Sequence, residues 1–215
     1  MKFTLQAATK RGDEANTFYP QIFTLSSLDE LKTVVQFDHM GGVFKNNKRD
    51  TKYFISCDVI IMDIDNDKTE NSDKWITPER IAEIFKDVEF CVIYSKSHNK
   101  IKTSGGKEYS ARPRFHVYFQ LSKTINNAEQ VRALKEGLLK ICPAFDAAAK
   151  DAARFFYGVE KPDGLYFEGT RGIDDFMEIA RSNKEHADAN LFDNLQDFFS
   201  HDVEHVSDET IDESG

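Results

Sequence analysis

The sequence has little that would mark a secreted, membrane-spanning or metal-stapled protein. Its three cysteines, Cys57, Cys91 and Cys142, are far apart and sit in apolar settings (SCDVII, FCVIY, KICPAF). That is how buried free thiols read, and neither a disulfide framework nor a zinc site is expected. No uninterrupted apolar run approaches the roughly 20 residues needed to cross a bilayer. The opening stretch, MKFTLQAATKRGDE, lacks the apolar centre of a signal peptide, so a cytoplasmic protein without a membrane partner is expected. Positive charge is also short: 28 Lys and Arg stand against 37 Asp and Glu, a formal net charge of −9. Taken over the whole chain, that balance argues against nucleic acid as a partner.

The distribution of charge alters that inference. From Asn183 onward ten acidic residues face the single Lys184, so this stretch alone carries −9 and residues 1–182 balance. The chain thus divides into a body, 1–182, and an acidic tail or linker, 183–215. Within the tail, LFDNLQDFF can form a short amphipathic helix with Leu191, Leu195, Phe198 and Phe199 on one face.

In the body, TLSSLDELKTVV and TPERIAEIFKDV read as helices; in the second, Thr77 is suited to the cap and Pro78 to the first turn. NNAEQVRALKEGLLKICP is a third, with Asn127 and Gln130 placed like a capping box and Pro143 as the stop. SCDVIIMDID and FCVIYS are short, apolar and rich in β-formers, hence buried strands. RFHVYFQL alternates strictly, with Phe115, Val117 and Phe119 on one face and Arg114, His116 and Tyr118 on the other. SKSHNKIKTSGGKEYSARP reads as a long loop, and of GLYFEG and DFMEIA one should be a strand and the other a helix. The order of elements implies an α+β fold, a mixed β-sheet with flanking helices.

Three constellations carry candidate chemistry. In VIIMDIDND, Asp63 and Asp65 are two residues apart at a strand end and project from one face. Two carboxylates held so close favour a divalent cation, and oxygen-only ligands suit Mg or Mn; simple Asx turns are the bland alternative. Arg114 and His116 share a face at the same spacing and could grip phosphate oxygens, as could Ser95, Ser97 and His98 in YSKSHNK. In FDAAAKDAARFFYG, Asp146 or Asp151 could complete a metal site or merely cap a helix, with Arg154 close behind. A basic loop precedes the first acidic strand: Lys45, Lys48, Arg49 and Lys52, interleaved with Phe44 and Tyr53. It could follow a nucleic-acid backbone with the rings stacking on bases.

Between about Phe37 and Gly158, these elements in this order resemble the archaeo-eukaryotic primase superfamily. The resemblance is to the primase-polymerase domains of phage, plasmid and mobile-element replication proteins. It implies an RRM-like catalytic core and a template-dependent DNA or RNA primase-polymerase. It also implies two Mg2+ or Mn2+ ions roughly 3.5 to 4 Å apart, nucleoside triphosphates and single-stranded DNA as substrates, and a helicase domain or other replication partner. Asp63 and Asp65 fall on the first motif's metal-binding acids and Asp146 on the third's. His116, or His98, falls on the nucleotide-contacting histidine, with Ser95 or Ser97 as its serine. A non-catalytic single-stranded nucleic-acid-binding accessory module is the alternative. A D-x-D phosphatase is disfavoured because Asp67 stands where a threonine or valine is wanted, and a rolling-circle nickase because RFHVYF holds one histidine.

Overall fold

The computed structural model describes residues 1–185; the LFDNLQDFF stretch lies outside the described residues. In chain order the elements are β1 (Phe3–Ala7), β2 (Gln21–Leu25), α1 (Leu28–Val34), β3 (His39–Met40), β4 (Gly42–Phe44), β5 (Phe54–Ile64), α2 (Pro78–Ile84), β6 (Phe90–Tyr94), β7 (Lys102–Ser104), β8 (Lys107–Tyr109), β9 (Phe115–Ile125), α3 (Ala128–Ile141), β10 (Phe155–Phe156), β11 (Gly164–Phe167) and α4 (Ile173–Glu185). The helix caps follow the sequence: the side chains of Thr77 and Asn127 accept backbone N–H bonds from the first turns of α2 and α3.

The main sheet runs β11-β6-β9-β5-β4 and a second sheet runs β10-β3-β1-β2. The α+β class holds, but the expected mixed sheet is corrected. Among the described residues every paired strand is antiparallel, and the one parallel contact is an isolated bridge between Val88 and Arg171. The cause is the split order: β9 returns by the long loop and inserts between β5 and β6, which α2 connects.

Alternation then builds two cores from one sheet. Ile60, Met62 and Ile64 of β5, Val92 of β6, and Phe115, Val117 and Phe119 of β9 pack against α2, α3 and α4 through Phe85, Leu138 and Met177. The opposite face, Val59, Ile61, Cys91, Ile93 and Tyr118, packs against the second sheet and α1 through Phe3, Leu5, Leu31 and Phe156. Each fully buried side chain of this size contributes about 1.5–3 kcal/mol. A sheet covered on both sides explains why β5 and β6 read as nearly continuous apolar runs. The three cysteines are buried and free. Among the described residues no helix is long and apolar enough to cross a membrane.

The loop before β9 contains a hairpin absent from the sequence expectation. Lys102 pairs with Tyr109 and Ser104 with Lys107, and Gly105 (φ 58°) and Gly106 (φ 79°) make the two-residue turn. Positive φ at both central positions is what a tight hairpin turn demands, and glycine meets it without steric cost.

Candidate active site

The site is set by register across three strands. Asp63 pairs with His116, and His116 with Ile93. One step inward lie Ile61, Tyr118 and Cys91, under the second sheet. One step outward Ser95 donates its backbone N–H to the Arg114 carbonyl at 3.0 Å. The second sheet covers the inner row and stops at the Asp63 row, where the side chains of Asp63 and His116 are 16% and 9% exposed. The apolar core therefore gives way to polar side chains at this row, His116 buried and Asp63 only partly exposed.

Asn66 ends β5. It adopts φ 55°, which asparagine tolerates better than most residues. Its side-chain amide donates to the carbonyls of Ile76 and Pro113 at 2.9 Å each, and its oxygen accepts the Ile76 N–H at 2.8 Å. This pin fixes the turn that carries Asp65 and Asp67.

Asp146 arrives from the other side. Phe145 bridges to Ile64, and the Asp146 N–H donates to the Asp63 carbonyl at 2.9 Å. The Asp146 carboxylate also caps the short helix that follows, accepting from the Ala148 N–H at 2.9 Å. Asp151 goes elsewhere: its carboxylate accepts from the Thr51 hydroxyl and from the Ala153 N–H, both at 2.9 Å.

The electrostatics centre on Asp63. Burial, then the charges of Asp65 and Asp146, push its carboxyl well above the usual range, with Arg154 and Lys102 opposing. Its Oδ1 has no hydrogen-bond partner among the described residues. His116 lies with Nε2 3.5 Å from that oxygen. Burial, then His39 and Arg154, lower its pKa to about 3, so the ring is neutral. Its Nδ1 also lacks a partner among the described residues. An orphaned carboxylate oxygen hemmed by two further acids fits a hard divalent cation, which Asp63, Asp65 and Asp146 would hold. As they stand, however, no group of three or more His, Cys, Asp or Glu among the described residues is arranged to hold a metal ion. Asp65 is turned to Lys102, whose ammonium donates to Asp65 Oδ2 at 2.7 Å and to Asp67 Oδ2 at 3.0 Å.

Arg114 shares the face of His116, as alternation requires, but its side chain is fully buried rather than open to phosphate. Its guanidinium donates to the carbonyls of Ser97 (3.2 Å), Lys100 (2.9 Å) and Ser110 (3.4 Å) and to Asp67 Oδ1 (3.0 Å). His98 is likewise occupied: Nδ1 accepts the Arg114 N–H at 3.2 Å, and the ring packs on Tyr94 at 4.1 Å. Ser95 Oγ accepts the Ser97 N–H at 3.3 Å, and both serines are half-buried on the loop beside Arg114. Arg154, half-buried, has an Nε without a partner among the described residues and acts electrostatically on Asp63 and His116.

The basic loop reaches this face through aromatic rings. Lys48 and Lys52 flank the Tyr53 ring at 5.6 and 5.0 Å, and the Arg49 guanidinium stacks over Phe155 at 4.4 Å. Phe156, next in the strand, meets the His116 ring edge-on at 5.0 Å. Lys45, Lys48 and Lys52 are exposed. Phe44 is not available for stacking on bases: it is 2% exposed and packs edge-on against Phe54.

Some residues of this site had no distinct signal in the sequence. Lys102 lies in what reads as a loop. His39, whose Nδ1–H donates to the Phe37 carbonyl at 2.9 Å and whose Nε2 accepts the Tyr118 hydroxyl at 2.7 Å, comes from a two-residue strand. Arg112 is wholly buried and bonds Asn66 O, Glu70 and Ser110 while lying under Trp75 at 5.1 Å. The alternation of RPRFHVYF, continued upstream, is the one hint that Arg112 shares a face with Arg114.

No protein-family model matches the chain, and no curated protein does. Among solved structures it is similar to the AEP domain of the cyanophage S-2L primase-polymerase (PrimPol, PP-N190). The two are 12% identical, with 82% of this chain and 88% of that chain covered and a TM-score of 0.43.

Proposed function

We propose that residues 1–182 form the body of a template-dependent nucleotidyltransferase of the primase-polymerase kind, with an RRM-like core, acting on nucleoside triphosphates along single-stranded DNA. One observation carries the reading. A buried carboxylate oxygen without a partner, on Asp63, is crowded by Asp65 and Asp146 and faces a neutral histidine where the apolar rows of the sheet end. Such an arrangement is costly without a cationic ligand, and costly clusters of this kind concentrate at functional sites.

In this reading a 3'-hydroxyl loses its proton to solvent and attacks the α-phosphate, the bond to the β-phosphate breaks, and pyrophosphate leaves. Bound Mg2+ or Mn2+ supplies Lewis-acid and charge-neutralising chemistry at such a centre. Asp63, Asp65 and Asp146 would hold the cation. His116, uncharged and with a free ring nitrogen, hydrogen-bonds a phosphate oxygen, and Arg154 adds positive charge next to it. Ser95 and Ser97 border the nucleotide on the β6 side. Arg114 and His98 position that border rather than touching phosphate, because their polar atoms are committed to the loop. Lys45, Lys48, Arg49 and Lys52 follow the template backbone, with Tyr53 as the stacking ring.

A non-catalytic single-stranded nucleic-acid-binding module is favoured by one observation, the internal neutralisation of Asp65 and Asp67 by Lys102 and Arg114. Primer extension on a single-stranded template with Mg2+ or Mn2+ separates the two. The nucleotidyltransferase reading expects incorporation that Asp63→Asn abolishes. Salt-sensitive DNA binding by a folded protein that incorporates nothing would leave the module.

A further inference from the structure

A positive charge already lies on the acids at the end of β5, and it comes from a hairpin that joins neither sheet among the described residues. Lys102 is the first residue of β7, with its side chain 25% exposed, and it bridges Asp65 and Asp67. The two acids are not held alike. Asp67 has a second donor in Arg114 Nη2 at 3.0 Å, whereas Asp65 Oδ1 lies 3.8 Å from Arg114 Nε, beyond hydrogen-bond reach. Withdrawal of Lys102 would therefore leave Asp65 with only the longer ion pair to Arg114, while Asp67 keeps a hydrogen bond. Asp65, the first residue after β5, is the acid whose charge acts on Asp63, whose Oδ1 lacks a partner among the described residues.

We propose that Lys102 is a tethered competitor for the cation site: its ammonium occupies Asp65 until a divalent ion displaces it, and the β7–β8 hairpin carries the released lysine away from the acids. The proposal rests on the nucleotidyltransferase reading and adds a control to its metal site. Tethering gives the ammonium a high effective concentration at Asp65, so it lowers the apparent metal affinity without any change in the ligands. A lysine is a compact monovalent charge on a flexible stem, and a dication gathering several carboxylate oxygens can outcompete it. The hairpin is short and outside both sheets: its strands are three residues each, and residues 103–108 are exposed.

The test is a Mn2+ titration of the full chain, following free Mn2+ by electron paramagnetic resonance, for wild type, Lys102→Met and Lys107→Met. Lys102→Met is expected to bind Mn2+ about tenfold or more tightly than wild type. Lys107→Met, which removes the same charge from the same hairpin but not from Asp65, should shift affinity less than about twofold, the size of a screened surface effect. In wild type, reductive methylation of Lys102 should be slow without Mn2+ and rise when Mn2+ is added. Equal affinity in wild type and Lys102→Met, with Lys102 labelling indifferent to Mn2+, overturns the proposal and leaves the metal site standing. Absence of Mn2+ binding in both overturns the two together. If Lys102→Met does not fold by circular dichroism, the labelling of wild type decides.

Discussion

The backbone N–H of Asp146 donates to the carbonyl of Asp63 at 2.9 Å, so two carboxylates from distant parts of the chain are fixed side by side by main chain rather than by side chains. Their proximity does not depend on a ligand being present. Burial first, then the charges of Asp65 and Asp146, raise the Asp63 carboxyl.

Substituting Asp63 by Asn should therefore separate stability from activity. The variant removes a buried, crowded carboxylate, and thermal unfolding should be unchanged or shifted upward, by up to ~1 kcal/mol. Nucleotide incorporation should fall by about 100-fold or more. A variant that unfolds early would instead make Asp63 a structural acid.

Lys135 is a positioning residue for the same segment. It is buried in α3, and its ammonium donates to the carbonyls of Ala149 at 2.8 Å and Asp151 at 3.2 Å, just beyond Asp146. Lys135→Met removes the Ala149 carbonyl's Lys135 donor while the Asp151 carbonyl keeps the Arg154 N–H, at a cost of roughly 1–3 kcal/mol. Hydrogen exchange at the Ala148 and Ala149 amides, which bond to Asp146, should quicken well before global unfolding.

His39 gives the fold a pH dependence of known sign. Burial lowers its pKa to about 4, against the pull of the Phe37 carbonyl and Asp38. The unfolded chain takes up that proton near pH 6.5, so between about 6.5 and 4 the unfolded state binds more protons and stability falls as pH falls. The slope from this residue approaches ~1.4 kcal/mol per pH unit. Urea unfolding at pH 7 and pH 5 should show a loss of about 2 kcal/mol attributable to His39. That share is read as the difference from His39→Gln, whose own profile should be flatter by the same amount.

Gly158 is fixed by close approach. A Cβ there would lie 2.4 Å from the Gln36 carbonyl oxygen, and its N–H donates to the buried Asp38 carboxylate at 2.8 Å. Gly158→Ala must push the chain after β10 away from the Gln36–Phe37 backbone, at a cost of about 1–3 kcal/mol. The readout is the thermal midpoint.

The two acidic and histidine-bearing strands were legible because a sheet buried on both faces leaves little freedom in β5 and β9: the placement of Phe115 and Val117 toward the helices fixes His116 on the other side. The helix caps were legible for a local reason, since Thr77 and Asn127 bond their own first turns. What could not be read depends on tertiary register. Gln6 holds β1 to the body by bonding the Tyr19 carbonyl and the Phe44 N–H at 2.7 Å each, and no periodicity marks a buried glutamine. The burial of Arg114 results from the 97–110 loop folding back over it, which alternation within one strand does not encode. The choice of Lys102 over the other lysines of its loop depends on where a short hairpin ends relative to β5.

The most direct test of the account is a crystal of the full chain soaked with Mn2+ and a non-hydrolysable nucleoside triphosphate, with the metal located by its anomalous scattering. The account predicts a peak bounded by the carboxylates of Asp63, Asp65 and Asp146, with the triphosphate beside His116 and Lys102 withdrawn from Asp65. A nucleotide bound elsewhere, with no metal at these acids and the Lys102 bridge intact, would contradict it.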